Sequence, residues 1–163
     1  MTWKSSRLQT PKLKLEKTKS KMITPEQLAA SGTEDGNQMA LFAWATLNTE
    51  TYPQLKNLFA IPNGGNRHIV EAIKFVGTGT RAGVPDTFLA CYISNRFDND
   101  KSQYFGLFIE MKKEIYRNRK NGGRSDEQIE WADRLSAAGY CVKTCYNWEE
   151  ARDTILKYLE GEL

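Results

Sequence analysis

The spacing of apolar residues along the chain predicts alternating helices and short strands. Thr24 followed by Pro25 predicts a short first helix, because threonine caps free N–H groups and proline suits the first helical position. A second helix is expected after Thr33, where Met39 and Phe42 recur at helical spacing in the segment EDGNQMALFAWATLN. Two consecutive helices are therefore expected before the first strand.

The middle of the chain predicts a strand, a helix and then a hairpin. The strand covers residues 58–61 and stops at Pro62, which cannot donate to a sheet ladder. The segment RHIVEAIKFVG predicts a helix that ends at Gly77. Two apolar runs then flank the polar stretch SNRFDNDKS, which predicts an antiparallel hairpin. The second run is apolar on both faces, as expected for a central strand covered on both sides.

The C-terminal part predicts a helix, a strand and a last helix. Ser125, with Gln128 three residues later, forms a capping box, and Gly139 ends that helix. YCVKTCY alternates as a strand, and WEEARDTILKYL has the spacing of an amphipathic helix. This order of elements predicts an α/β fold in which helices flank a small mixed central sheet. The chain of 163 residues suffices for one such domain, over residues 23–163.

Acidic residues stand at the ends of the two apolar runs. Asp86 follows Pro85 before the first run, and Glu110 and Lys112 close the second. In a hairpin whose turn is centred on Asp98, Asp86 lies directly opposite Glu110. Two converging carboxylates suit Mg²⁺ or Mn²⁺, and a lysine on the same face can neutralise a phosphoryl centre or orient water. An ordinary Glu–Lys surface pair is the alternative interpretation.

Basic residues cluster in two places. Residues 1–22 hold seven lysines and arginines against one glutamate, so they carry +6 and the remainder −3 of the total +3. These residues are poor in large apolar side chains, and we interpret them as a flexible arm that contacts nucleic-acid phosphates or as a solubilising tail. The loop KKEIYRNRKNGGR has six basic residues and one acidic, which favours either DNA-backbone contacts or a solvated mobile loop.

Hydropathy argues against a membrane-spanning protein, and the number of potential ligands argues against a structural zinc site. No apolar run approaches the ~18 residues that span a bilayer, so a soluble, cytoplasmic protein without membrane contact is expected. The chain has one histidine, His68, and three cysteines, Cys91, Cys141 and Cys145, all in segments that are predicted to be strands. Only Cys141 and Cys145 have spacing that places them together. A structural zinc ion needs four ligands, so these cysteines are expected to be reduced thiols.

Four blocks of the sequence, in order, resemble the VRR-NUC branch of the PD-(D/E)XK nuclease superfamily. The blocks are IPNGGNR, GTRAGVPDTFL, GLFIEMKKE and SDEQIEWADRLSAAGYCVKTCYNWEEA, and the similarity covers roughly residues 34–159. The resemblance implies a restriction-endonuclease-like fold and a metal-dependent endonuclease that hydrolyses DNA phosphodiester bonds. Stand-alone members resemble dimeric Holliday junction resolvases, which implies a homodimer that acts on branched DNA in the replication or repair of a phage or bacterium.

The resemblance also implies a role for each residue of the acidic site. Asp86 and Glu110 would bind Mg²⁺ or Mn²⁺, and the backbone carbonyl of Met111 would add a ligand. Lys112 would be the catalytic lysine. Gln128 would hold the lysine or the attacking water, although half of a capping box explains this residue as well.

The resemblance assigns one further acid, and the chemistry of two loops suggests phosphate contacts. The acid of the family's first helix corresponds to Glu34, with Asp35 as the alternative. The loop KFVGTGTRAG is longer and richer in threonine than the family's loop before G-x-P-D. The resemblance therefore does not predict how a substrate reaches the site at this loop. Arg81 in that loop and Arg67 in the turn NGGNR are expected to contact DNA phosphates, although an ordinary turn explains the glycines of NGGNR equally well.

The basic loop completes the predicted DNA-binding surface with Arg117, Arg119, Lys120 and Arg124. Trp131, by contrast, is interpreted as a core residue of its helix. Two alternative functions remain. One is a nucleic-acid-binding module on the same fold whose catalysis is impaired or depends on a partner, and the other is an unrelated α/β protein whose acids bind a structural cation. The intact acid, acid and lysine set argues against an impaired enzyme.

Overall fold

The computed structural model describes residues 23–62, 77–94 and 103–163. The helices are α1 (Pro25–Ala29), α2 (Glu34–Leu47), α3 (Asp126–Ala137) and α4 (Trp148–Glu160). The strands are β1 (Leu58–Ala60), β2 (Thr87–Leu89), β3 (Ile93–Ser94), β4 (Gln103–Tyr104), β5 (Leu107–Met111) and β6 (Cys141–Cys145). The basic arm, the NGGNR turn with Arg67, the predicted helix of RHIVEAIKFVG and the turn around Asp98 lie outside the described residues.

A mixed sheet runs through the described part of the chain in the strand order β1-β2-β5-β6. The strand pairs β1–β2 and β2–β5 are antiparallel, and β5–β6 is parallel. Thr87 pairs with Ile109, and this register carried back by one residue sets Asp86 opposite Glu110. The predicted register and the small mixed sheet flanked by helices are both confirmed.

The first apolar run does not form one continuous strand. β2 ends at Leu89, and the chain resumes as β3, which pairs with β4 in a separate two-stranded sheet. The backbone N–H of Ala90 donates to the carbonyl of Asn57 at 3.2 Å, outside the β2–β5 ladder. Cys91 lies between the two strands. The prediction that Cys91 is part of a strand is therefore wrong.

Side-chain caps explain where the helices begin. The Thr33 hydroxyl accepts from the N–H of Gly36 at 3.0 Å, and the Asn147 amide oxygen accepts from the N–H of Glu150 at 2.7 Å. Each cap satisfies a donor that has no partner inside its helix. Gly161 ends α4 in the left-handed conformation, with φ of 73°.

The hydrophobic core covers one face of the sheet. Every residue of β5 is buried, and Leu107, Ile109 and Met111 belong to the same cluster as Leu41 of α2 and Ile155 of α4. Residues at alternate positions of a strand point to opposite faces. The opposite face of β5 therefore holds Phe108 and Glu110, which places the acid beside an aromatic row rather than inside the aliphatic cluster.

Three phenylalanines on neighbouring strands form that aromatic row. Phe59 meets Phe88 edge to face at 5.6 Å, and Phe88 stacks on Phe108 at 4.3 Å between ring centroids. Tyr140 packs edge to face against Phe108 at 5.3 Å. Such contacts stabilise a sheet through cross-strand pairs. Phe108, the member of the row on β5, lies two residues before Glu110 on the same face of the strand.

Candidate active site

Asp86 is held at the N-terminal end of β2 by its neighbours in the sheet. Its backbone carbonyl accepts from the N–H of Ile61 at 2.7 Å, and its Oδ2 accepts from the backbone N–H of Met111 at 2.8 Å. These two bonds tie Asp86 to β1 on one side and to β5 on the other. The carboxylate is therefore oriented by backbone before any ligand arrives.

The loop that delivers Asp86 depends on a glycine. Gly83 has φ of 83°, in the region that favours glycine. A Cβ at this position would lie 2.8 Å from the backbone carbon of Glu127, in the first turn of α3. The absence of a side chain at Gly83 therefore lets the loop pack directly on α3 and brings Asp86 and α3 to the same site.

Glu110 is the centre of the site. It is buried, with 4% of its side chain exposed, and its Oε1 accepts from Lys112 Nζ at 2.6 Å. Gln128 Nε2 donates to the same oxygen. The other oxygen, Oε2, is buried and has no hydrogen-bond partner in the described part of the chain. A buried oxygen without a donor is costly, which marks Oε2 as a position prepared for a ligand.

Gln128 forms the predicted capping box and also contacts the acidic site, where its partner is Glu110. Its Oε1 accepts from the backbone N–H of Ser125 at 2.9 Å, and the Ser125 hydroxyl accepts from the N–H of Gln128, so the capping box forms. Because the cap fixes the amide oxygen toward Ser125, the amide NH₂ points to Glu110. The helix cap thus orients the side chain that reaches the acid.

The charge of Glu34 acts on the same carboxyl. Burial raises the pKa of Glu110 to about 7, and the negative charges of Asp86 and Glu34 add to that increase, against the opposing effect of Lys112. Glu34 is half-buried in the first turn of α2, whereas Asp35 is exposed. The structure therefore brings Glu34, and not Asp35, into electrostatic contact with Glu110.

Packing of α1 on α2 explains the position of Glu34. A Cβ on Gly36 would lie 2.8 Å from the carbonyl oxygen of Leu28 in α1 and closer still to the Ser31 hydroxyl. Glycine at this position lets the two helices approach where Glu34 begins α2. Asn37, one residue further, accepts from the N–H of Trp148 at 3.0 Å and links α2 to the start of α4.

The donor set of the site fits a divalent cation that prefers oxygen ligands. Among the described residues there is no group of three or more His, Cys, Asp or Glu side chains arranged as a complete metal cage. Mg²⁺ does not need such a cage, because it keeps several waters and is bound by one or two carboxylates. The two facing carboxylates meet this requirement, and Glu110 Oε2 has no hydrogen-bond partner among the described residues. Met111 follows Glu110 on β5, and its backbone N–H donates to Asp86 Oδ2.

A comparison with solved structures finds a VRR_NUC domain protein with the same arrangement of elements. The TM-score is 0.59 at 24% sequence identity, and the match covers 78% of this chain and 88% of that chain. A likeness of this degree establishes a shared fold. No protein-family model matches the sequence, and no curated protein matches it.

The predicted DNA-contacting residues flank the acidic site but differ in their contacts. Arg81 is exposed and its Nη1 donates to the Thr80 carbonyl at 3.3 Å. Arg119 packs on the Tyr116 ring with its guanidinium 4.6 Å from the centroid, and Lys120 is exposed. Arg124 donates to a carbonyl of its own loop at 3.2 Å.

Arg117 differs from the other basic residues because two acids hold it. Its guanidinium pairs with Glu114 at 2.5 Å and with Glu150 of α4 at 2.9 Å, and it lies 4.4 Å from the centroid of the Tyr146 ring. The Tyr146 hydroxyl donates to the carbonyl of Gly122 at 3.2 Å. These contacts anchor the basic loop to the start of α4. No pattern in the sequence indicated the contacts with Glu150 and Tyr146, because these partners are more than twenty residues from Arg117.

The cysteines are free thiols, as predicted. Burial raises the pKa of Cys145 to about 11 and also raises the pKa of Cys141, so neither is poised as a thiolate at neutral pH. Cys91 is only half-buried. In the described residues, no helix has both the length and the apolar character that crossing a membrane requires.

Proposed function

We propose that the chain is a VRR-NUC nuclease of the PD-(D/E)XK superfamily and hydrolyses DNA phosphodiester bonds with Mg²⁺ or Mn²⁺. One observation carries the proposal. Glu110 is buried opposite Asp86, with Lys112 and Gln128 on one oxygen and, among the described residues, no partner on the other. An ordinary surface Glu–Lys pair would not be buried, and it would not face a second acid.

The side chains divide the work between holding the cation and holding the phosphate. Asp86 and Glu110 would bind the metal ion, which when bound supplies charge neutralisation and a water of lowered pKa. Lys112, 2.6 Å from Glu110 Oε1, presents an ammonium that can stabilise negative charge developing on phosphoryl oxygens. Gln128 fixes the Glu110 carboxylate, and Glu34 adds negative charge that favours a bound cation.

Basic residues on both sides of the acids support DNA as the substrate. Arg81 stands in the loop before Asp86, and Arg119, Lys120 and Arg124 stand in the loop after Lys112. A phosphate backbone that crosses the acid pair would meet positive charge at each end, which favours binding and register without sequence preference. We propose that the arm of residues 1–22 and Arg67 add further phosphate contacts.

The selection of branched DNA is a finer proposal that depends on the sequence resemblance. We propose a homodimer that cuts four-way junctions or other branched DNA during replication or repair in a phage or bacterium. Two symmetric cuts need two active sites at fixed separation, which a two-fold dimer supplies. Light scattering will give the mass in solution, and a panel of labelled junction, flap, single-stranded and duplex DNA will rank the substrates. A monomer that prefers linear duplex would overturn this extension and leave the nuclease chemistry intact.

Cleavage and metal binding test the main proposal separately. The purified protein should cut DNA in Mg²⁺ or Mn²⁺, be inactive in EDTA, and show a raised melting temperature when the metal is added without DNA. Asp86→Asn and Glu110→Gln should remove both effects while circular dichroism stays unchanged. Glu127→Gln, an exposed acid in the first turn of α3, is the matched control and should keep both. DNA binding without cleavage under any metal would instead identify a binding module.

A further inference from the structure

A cavity of about 410 Å³ adjoins the candidate active site. Phe108 of β5 and Trp131 of α3 contribute aromatic walls, and Arg81 and Val84 line it from the loop that precedes Asp86. Val84 stands two residues before Asp86. We name this space the Phe108–Trp131 cavity. Its volume lies within the range of small-molecule sites.

Each aromatic wall is one structural step away from a residue of the acidic site. Phe108 precedes Glu110 by two residues on β5, so both side chains share a face and lie ~7 Å apart along the strand. Trp131 follows Gln128 by three residues on α3, so both lie on one face of the helix. A group inside the cavity would therefore be a direct neighbour of a phosphate held at Glu110.

The walls are suited to a flat, uncharged ring that carries a phosphate. Trp131 and Phe108 line the space with aromatic rings. The Arg134 guanidinium lies 4.1 Å from the centroid of the Trp131 ring, and Phe88 stacked at 4.3 Å holds the Phe108 ring in place. Thr78, Thr80 and Arg81 line the same space with polar atoms, and among the described residues no carboxylate side chain lines it. Nucleobases stack on aromatic side chains of this kind when they are unpaired.

We propose that the Phe108–Trp131 cavity receives an unpaired nucleobase of the DNA strand that is cut, next to the scissile phosphate. This proposal rests on the proposed nuclease function and makes it more specific. A base must leave its duplex partner to enter the cavity, so DNA that is already unpaired at that nucleotide is favoured. Arg81 then contacts the phosphate that joins this nucleotide to its neighbour. The cavity selects for local unpairing and not for base sequence.

A scan with single abasic nucleotides tests the proposal on the unmodified protein. An abasic residue will be placed at each position around the cleavage site, and kcat and KM will be measured for each DNA. At one position, loss of the base should raise KM about ten-fold, because one stacked base is lost. At the other positions KM should stay near that of intact DNA. A flat profile would overturn the proposal.

Substitution of Trp131 shows whether the cavity is the origin of that profile. Trp131→Ala should raise KM for intact DNA about ten-fold and remove the difference between intact and abasic DNA. Trp131→Phe should restore part of the difference, because it keeps an aromatic wall. Trp44→Phe, on α2 against the hydrophobic core, is the control and should keep the wild-type profile. A profile that persists in Trp131→Ala would place the base elsewhere.

Binding without cleavage distinguishes the cavity from the nuclease reaction. In EDTA, stacking of 2-aminopurine on the protein is measured as a loss of its fluorescence. The 2-aminopurine is placed at the position found by the scan, or at each position in turn when no DNA is cut. A loss of fluorescence at one position with the wild-type protein supports the proposed base-binding cavity. No loss of fluorescence at any position overturns the proposal. A protein that quenches 2-aminopurine but cuts no DNA under any metal would contradict the nuclease function alone.

Discussion

Two clusters of acids and bases, one at the end of β5 and one that joins the basic loop to α4, differ in their exposure to water. In the buried cluster, Lys112 and Glu110 pair at 2.6 Å with 10% and 4% of their side chains exposed. In the surface cluster, Arg117 and Glu150 pair at 2.9 Å with 38% and 32% exposed. The pairing chemistry and the distances are similar. The difference in burial changes what each cluster does.

Burial reverses the direction in which the pKa of the paired acid is shifted. The pKa of Glu114 is lowered, chiefly by its hydrogen bond from Arg117, as expected for an acid beside a cation in water. The pKa of Glu110 rises to about 7 although Lys112 is bound to it, because desolvation and the charge of Asp86 outweigh the lysine. The surface cluster is satisfied by its own members, whereas the buried cluster still lacks positive charge.

The two clusters also differ in what they position. The buried cluster orients side chains toward the proposed scissile phosphate. The surface cluster anchors a loop, since Glu150 also accepts from the N–H of Tyr146 at 3.0 Å and the Tyr146 hydroxyl reaches Gly122. Arg117 is therefore better explained as a positioning residue than as a DNA contact, and its predicted contact with DNA stays a prediction.

The largest expected difference between the clusters is in the rate of cleavage. Glu110→Gln should lower the single-turnover rate at least ~100-fold, because a preorganised charge at the reacting centre is lost. Glu150→Gln should lower it less than about ten-fold, because exposed ion pairs contribute little. Rapid-quench measurements under saturating protein will compare the two. Equal losses in both variants would show that burial does not separate the roles of the clusters.

The buried cluster should also make stability depend on pH in metal-free buffer. Below the ordinary pKa of 4.5, Glu110 is protonated in both states; between 4.5 and about 7 only the unfolded chain ionises; above 7 the folded state carries the full penalty. Stability should therefore fall as pH rises through this range, by roughly 3 kcal/mol at most. Urea unfolding in EDTA from pH 4 to pH 8 measures the fall.

Two variants assign that pH dependence to the buried cluster. Glu110→Gln has no carboxyl to titrate, so the decrease between pH 4.5 and 7 should be much smaller than in the wild-type protein. Glu150→Gln should keep the decrease of the wild-type protein. The comparison uses the change with pH and not the absolute stability, since Lys112 loses its ionised partner in the first variant. The same decrease in all three proteins would assign it to other groups.

Substitutions of Glu34 and Asp35, the adjacent acids at the start of α2, should have smaller effects on cleavage and stability than substitution of Glu110, and each serves as the control for the other. Glu34→Gln should lower the cleavage rate about ten-fold and shift the pH dependence of stability toward lower pH, because one negative charge near Glu110 is removed. Asp35→Asn should change the cleavage rate by less than about two-fold and should keep the pH dependence of stability seen in the wild-type protein. Steady-state kinetics and urea unfolding will be compared in the two variants. A larger loss in Asp35→Asn would reverse the assignment of the first-helix acid.

The smallest expected effect is at the anchor of the basic loop. Tyr146→Phe removes the hydroxyl that donates to Gly122 and leaves the ring under Arg117. One hydrogen bond of about 1 kcal/mol corresponds to a rise in KM for DNA of about five-fold, with kcat unchanged. Tyr92→Phe, an exposed tyrosine outside the loop, is the control. A fall in kcat with constant KM would show that Tyr146 acts on the reacting centre instead.

Local rules of the chain predicted much of the site. The two-residue period of strands and the position of a polar turn sufficed to set Asp86 opposite Glu110, and the register Thr87 to Ile109 agrees. The Ser125 and Gln128 spacing predicted a helix cap that the structure contains. These features depend on residues close together in sequence, or on one turn between two strands.

Features that depend on distant segments were not predictable in the same way. The first apolar run breaks after Leu89 and resumes as β3, which pairs with β4 in a separate sheet. Arg117 was assigned to DNA from its neighbours in the basic loop, yet its partner Glu150 lies in α4. Trp131 was interpreted as a core residue, and only the placement of α3 beside β5 makes it a wall of a cavity.

The sequence by itself determined the helix caps, the register of the two central strands and the identity of the two facing acids. Each of these follows from backbone periodicity and from hydrogen bonds between near neighbours. The tertiary structure decided which acid is buried, which basic residue is held, and that one oxygen of Glu110 has no donor among the described residues. Those properties depend on how much water the rest of the fold excludes, and side chains from several distant elements set that amount together.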